Sequence, residues 1–182
     1  MTSSTIVFDT ETTGIHADTD EILEIGIVSG DGEVVLERRY KPQHAEAWDG
    51  AARVNGIWPA DVADCPAITE DIDLLREIFA SADTIIGYNV EFDLKFLAAV
   101  GIEPAPGARI IDTMREYAPI HGVWDERFDE WAWCKLTVAA DEIGYVWTGA
   151  AHGAVADVLA TLAVQNHIDA LESQSGLDQE GL

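Results

Sequence analysis

The chain has 182 residues, 48% of them hydrophobic and 24% charged, enough for one domain with a sizeable core and not calling for a second. No stretch approaches the roughly 20 apolar residues of a membrane span, and the opening MTSSTIVFD lacks the basic and apolar regions of a signal peptide, so a cytoplasmic location is expected. With 34 Asp and Glu against 10 Lys and Arg, the net charge of −24 argues against salt-driven nucleic-acid binding through a basic footprint. A local site where metal ions supply the positive charge stays open.

The first predicted strand, from residue 5 to 10, lies in the run IVFDTETTG. Its apolar start, Ile6 to Phe8, reads as a strand covered on both sides. Side chains alternate along a strand, so Asp9 and Glu11 share one face. Two such like charges need protons or a cation, and a divalent metal uses both as oxygen ligands. An acidic turn simply solvated at a strand end is the plainer alternative. Residues 22–29 (ILEIGIVS) and 33–40 (EVVLERRY) read as two strands joined by the hairpin signal Gly30-Asp31-Gly32. Ile68, Ile72, Leu75 and Phe79 recur at helical spacing, and Thr84 to Gly87 reads as a short buried strand. Asn89 is placed to cap the next helix and Gly101 to stop it. A strand over 109–112 and helices over about 113–118, 135–143 and 153–170 follow. This pattern predicts an α/β layer fold with a mixed sheet, one domain over residues 1–170, and a disordered tail, LESQSGLDQEGL, over 171–182.

Later acids sit where such a fold can bring them to Asp9. The segment IIGYNVEFDLKFL runs from strand to helix and places Asp93 in the first helical turn, at the sheet edge where α/β folds bind ligands. Favouring the helix dipole, worth about 0.3–1 kcal/mol, is its plainer role. In AAHGAVADVLATLAV, His152 and Asp157 lie five residues apart, about 140° around a continuous helix. They can serve one target only if the helix begins near Gly153, with His152 on the preceding loop. Asp157 interrupts the apolar face of Val155, Val158, Leu159 and Leu162, where an acid requires a partner.

Together, FDTETTG, IGYNVEFD and HGAVAD, in this order and at these separations, resemble the motifs of the DEDD family of 3′→5′ exonucleases, in its histidine-carrying branch. The resemblance covers residues 5 to about 168 and is strongest to the epsilon-type proofreading subunits of bacterial DNA polymerases. It implies an RNase H-like fold, a mixed five-stranded sheet flanked by helices, and a site for two Mg²⁺ or Mn²⁺ ions. Such a pair can activate a water on one side of a phosphodiester and stabilise the leaving oxygen on the other. By that resemblance Asp9 bridges both ions, Glu11 and Asp157 complete the water-side ion, and Asp93 serves the other through water. His152 takes the proton from the attacking water.

The implied reaction releases nucleoside 5′-monophosphates from single-stranded DNA 3′ ends, in proofreading or repair. So acidic a surface makes a DNA polymerase subunit a candidate partner that holds the primer end. An RNA 3′→5′ exonuclease and a catalytically silent partner-binding module of the same fold are the alternatives; the silent module has no need of a base such as His152.

Many family members carry histidine where this chain has Tyr88. Asp112 is expected to make structural pairings. Trp124, Trp131 and Trp133 are expected to fill core rather than stack bases, because large rings usually supply buried area. His16, His44, His121 and His167 are expected at the surface, and Cys65 and Cys134, without metal-site spacing, as reduced thiols.

Overall fold

The computed structural model describes residues 4–147 and 153–179, with side chains as far as residue 174. Five strands form the main sheet: β1 (Thr5–Thr12), β2 (Ile22–Ser29), β3 (Val34–Arg39), β4 (Thr84–Gly87) and β5 (Arg109–Asp112). Their order is β3-β2-β1-β4-β5, with β1 antiparallel to β2 and parallel to β4. The sheet is therefore mixed and five-stranded, as expected. Gly32, at φ 83°, gives the β2–β3 turn the left-handed residue it needs, and its N–H donates to the Ser29 carbonyl at 2.9 Å.

Alternation along β1 sorts the two layers. Ile6 and Phe8 face a core shared with Leu75 and Phe79 of α2 (Ile72–Ser81) and with Phe96 and Leu97 of α3 (Val90–Ala99). Val7 faces the other way, joining Val28, Ile86 and Ile111 against Val158 and Leu162 of the C-terminal helix Ala154–Gln179. Each fully buried side chain of this kind contributes about 1.5–3 kcal/mol. Asp9 and Glu11 continue the Val7 face, so strand period alone aims them at that helix.

Several local expectations are corrected. The segment between β3 and α2 holds a helix, α1 (Asp49–Asn55), whose Ala52 packs with Trp48, Ile57, Val62 and Leu23. Asn89 stands at the start of α3 at φ 63°, yet its side chain makes no capping bond; its carbonyl accepts from the Phe92 N–H at 2.9 Å. Gly101 does end α3, at φ 76°. After β5 come α4 (Thr113–His121), a small hairpin of β6 (Trp124–Asp125) and β7 (Glu130–Trp131), and α5 (Leu136–Glu142). The final helix, α6, does not stop at 170 but continues to Gln179, through the segment expected to be a tail. Leu171, Glu172 and Gln174 are good helix formers, and the Ser173 hydroxyl donates to the Asp169 carbonyl at 2.8 Å. Among the described residues, no helix is long and apolar enough to cross a membrane.

Candidate active site

Three carboxylates meet at the end of the central strand. Asp9, Glu11 and Asp157 each place an oxygen within 4.8 Å of the other two. The close approach depends on Gly26, the cross-strand partner of Asp9. A Cβ there would lie 2.6 Å from the Ala154 carbonyl carbon and 2.7 Å from the Val155 nitrogen, so only glycine lets the start of α6 sit on the sheet. One turn later α6 delivers Asp157. The interruption in its apolar face is thus the point where the helix crosses the acidic end of β1.

Asp93 arrives from the opposite side of β1. It lies in the first turn of α3, only 2% exposed, and accepts from the Thr10 N–H at 3.0 Å and the Thr10 hydroxyl at 2.5 Å. Thr10 points away from Asp9 and Glu11, which is why it can tie α3 to the strand. Asp93 lies outside the group of three close oxygens, yet its charge exerts the largest carboxylate repulsion on Asp9.

Burial and crowding make these acids hard to ionise. Burial, followed by repulsion from Asp93, Glu11, Asp157 and Glu24, pushes Asp9 well above the usual carboxylate range. Burial and the charges of Asp157 and Glu24 push Glu11 up to about 8. Burial raises Asp93 to about 7 although the Thr10 hydrogen bonds oppose it. Among the described residues, no Lys or Arg pairs with Asp9, Glu11 or Asp93. An all-oxygen donor set crowded with like charge fits hard divalent cations such as Mg²⁺ or Mn²⁺.

Three neighbours were not singled out by sequence. Glu24 stands opposite Glu11 in the ladder, 4% exposed; one oxygen takes Arg39 Nε at 3.3 Å and Oε2 has no hydrogen-bond partner among the described residues. Its signal was present as a lone acid inside an apolar strand. Asn55 donates to the Thr12 carbonyl at 3.1 Å, and its side-chain amide favours the ionised form of Glu11, opposing the upward push of burial. Thr10 is the third. Asp112 behaves as expected, accepting from the Asn89 and Met114 N–H groups at 3.0 and 3.1 Å and pairing with Arg115 at 3.5 Å. His152 lies outside the described residues. The tryptophans overturn the core expectation, because Trp124, Trp131 and Trp133 are 46%, 43% and 62% exposed.

The raised carboxyls fix the sign of a pH effect. Their folded values exceed the ordinary ones, so between about pH 4 and 8 the folded chain holds more protons than the unfolded chain. Stability is therefore lost as pH rises through that window. In EDTA the melting temperature should drop by about 5 °C or more from pH 5 to pH 8. General repulsion at net charge −24 contributes to that drop, but Glu11→Gln should remove a distinct share of it, and Mn²⁺ should restore stability at pH 8. Identical pH profiles for wild type and Glu11→Gln would show that Glu11 is not held under this repulsion.

A five-stranded mixed sheet with acids gathered where its central strand meets the final helix is the arrangement that the resemblance to DEDD-family 3′→5′ exonucleases implies. A sequence profile of the exonuclease family RNase_T matches residues 6–165, and the chain belongs to that family. It is 33% identical over 96 residues to the DNA polymerase III subunit epsilon of Treponema pallidum, a match covering 50% of this chain and 43% of the relative. It is likewise 33% identical over 95 residues to the PolC-type DNA polymerase III of Caldanaerobacter subterraneus, covering 50% of this chain and 7% of that one. The chain thus matches less than half the length of these curated relatives. Among solved structures, E. coli Exonuclease I in complex with a dT13 oligonucleotide aligns with a TM-score of 0.73 at 21% identity, over 91% of this chain and 41% of the other. Exonuclease X in complex with 5′ overhanging duplex DNA aligns with a TM-score of 0.66 at 21% identity, over 94% and 93%. These two likenesses concern the fold.

Proposed function

We propose that this protein is a divalent-metal-dependent 3′→5′ exonuclease that releases nucleoside 5′-monophosphates from single-stranded DNA ends in the cytoplasm, in proofreading beside a DNA polymerase subunit or in repair. The observation that carries this reading is the meeting of Asp9, Glu11 and Asp157 oxygens within 4.8 Å, beside buried Asp93. These four carboxylates would hold two Mg²⁺ or Mn²⁺ ions, whose chemistry when bound is to polarise the phosphodiester and supply a nucleophilic water at neutral pH. The chain's own part is to hold the acids rigidly. Thr10 fixes Asp93, Asn55 steadies Glu11, and Gly26 lets α6 bring Asp157 into place. His152 is assigned the proton of the attacking water.

Support for DNA comes from the named relatives, a DNA polymerase III subunit epsilon and a PolC-type DNA polymerase III, and from solved neighbours that hold DNA. The direct test uses 3′- and 5′-labelled single-stranded DNA and RNA of matched sequence, with Mn²⁺, Mg²⁺ or EDTA. Stepwise shortening from the 3′ end, monophosphate products, loss in EDTA and slower cleavage of RNA are expected. Inactivity at saturating metal would instead identify a silent module, and faster RNA cleavage an RNA exonuclease.

The exposed tryptophans enter as base-stacking platforms. Trp131 and Trp133 line a groove of about 530 Å³ with Asn89, Met114 and Arg115, and Asn89 adjoins the helix that carries Asp93. Stacking contributes about 1–3 kcal/mol per base, so Trp133→Ala should raise KM for a DNA oligonucleotide about 5- to 150-fold with kcat nearly constant. Steady-state kinetics on a short single strand make the check, and an unchanged KM would remove Trp133 from the binding track.

A further inference from the structure

We propose a second metal site, formed by His121, Cys134 and Glu142 and suited to one zinc-class cation, that shares no residue with the carboxylate cluster. Each of the three offers a ligand atom within 4.8 Å of the others. They come from three places in the chain: His121 ends α4, Cys134 lies between β7 and α5, and Glu142 ends α5. Nothing in their sequence spacing brings them together; the packing of α4 and α5 around Tyr117, Ala139 and Ile143 does.

The donor set is the first support. A nitrogen, a sulfur and a carboxylate oxygen suit zinc and its softer neighbours, whereas Mg²⁺ and Mn²⁺ prefer all-oxygen sites such as the one at Asp9. Bond lengths of about 2.0–2.3 Å set tetrahedral ligand separations near 3.3–3.7 Å, so an edge within the 4.8 Å limit has to close by no more than about 1.5 Å. Glu142 can supply that movement, being 39% exposed at a helix end. The fourth position falls to water.

The surroundings are the second support. His121 Nδ1 already sits 2.9 and 3.1 Å from the two Glu142 oxygens. The Tyr117 hydroxyl donates to Glu142 Oε2 at 3.0 Å, the kind of outer contact that orients a ligating carboxylate. Cys134 is buried, 9% exposed, and the Tyr88 hydroxyl donates to its carbonyl at 2.8 Å. Cys134 packs beside Tyr117 and Ala139 with its Sγ 3.7 Å from the Tyr88 hydroxyl, contacts that hold the thiol at the third corner of the triangle. Binding releases the thiol proton to solvent and ties Cys134, next to Trp133, to the ends of α4 and α5.

Cobalt(II) is the probe, because a thiolate ligand gives a near-ultraviolet charge-transfer band that an all-oxygen site cannot produce. The full-length reduced protein should show this band, saturating at a single equivalent and bleached by Zn²⁺. Asp9→Asn and Cys65→Ser should keep it and Cys134→Ser should lose it. His121→Gln and Glu142→Gln should each weaken cobalt binding about tenfold or more, which also decides the matter if Cys134→Ser does not fold. The proposal is overturned by absence of the band at saturating cobalt, or by unchanged affinity in both His121→Gln and Glu142→Gln.

Discussion

Asp9→Asn should lower Mn²⁺-dependent cleavage about 10³-fold or more while raising the melting temperature of the metal-free protein. The two halves of that result come from one cause. Asp9 receives repulsion from Asp93, Glu11, Asp157 and Glu24 together, so it stands at the centre of the acidic group. Asparagine keeps its shape and removes its charge, relieving every one of those repulsions at once when no metal is present. On the proposed two-metal reading, the same change also removes the carboxylate assigned to both ions. Activity on a labelled oligonucleotide and melts in EDTA check the pair of effects. If the variant kept most of its activity, Asp9 would not be the shared ligand; if it melted lower than wild type, the cluster would not be under strain from its own charge.

How much of this was legible in the sequence follows from where the signals lie. β1 to β3 were readable because period-two alternation and Gly30-Asp31-Gly32 specify strands and turn locally. Asp9, Glu11 and Asp157 were readable because each breaks an apolar pattern. Glu24 breaks one too, but it sits among half-readable neighbours, and its position opposite Glu11 appears only once the β1–β2 register is known. Asn55 lies on a short helix with only Ala52 and Asn55 buried, too little periodicity to register as an element. The tryptophans misled for a different reason. Aromatic density looks the same for a core and for a binding face, and what separates them is that β6 and β7 are two-residue strands with no sheet to bury against. His121, Cys134 and Glu142 were invisible because ligands from a helix end, a loop and another helix end follow no linear spacing.

His152→Ala should bind metal and oligonucleotide close to wild type yet cleave roughly 10²–10⁴ times more slowly, the span lost with general-base help. The reasoning starts from position. His152 precedes Asp157 by five residues, a separation that on one continuous helix would turn the two about 140° apart. α6 begins at Ala154, with the Asp157 N–H bonded to the Gly153 carbonyl at 3.1 Å, close to the helix start near Gly153 that the sequence spacing requires. A base must be neutral, and cleavage should rise with pH around the ordinary imidazole value of about 6.5. Glu11 and Asp93, raised to about 8 and 7 without metal, and the acidifying effect of divalent ions on water fall in the same range. The wild-type profile sums all of these, whereas the ratio of wild type to His152→Ala across pH isolates the imidazole. That ratio should grow from pH 5.5 to 7.5, because only the wild type gains a base as the ring deprotonates. A ratio near one throughout, at saturating metal, would take His152 out of the reaction and leave the four carboxylates to carry it.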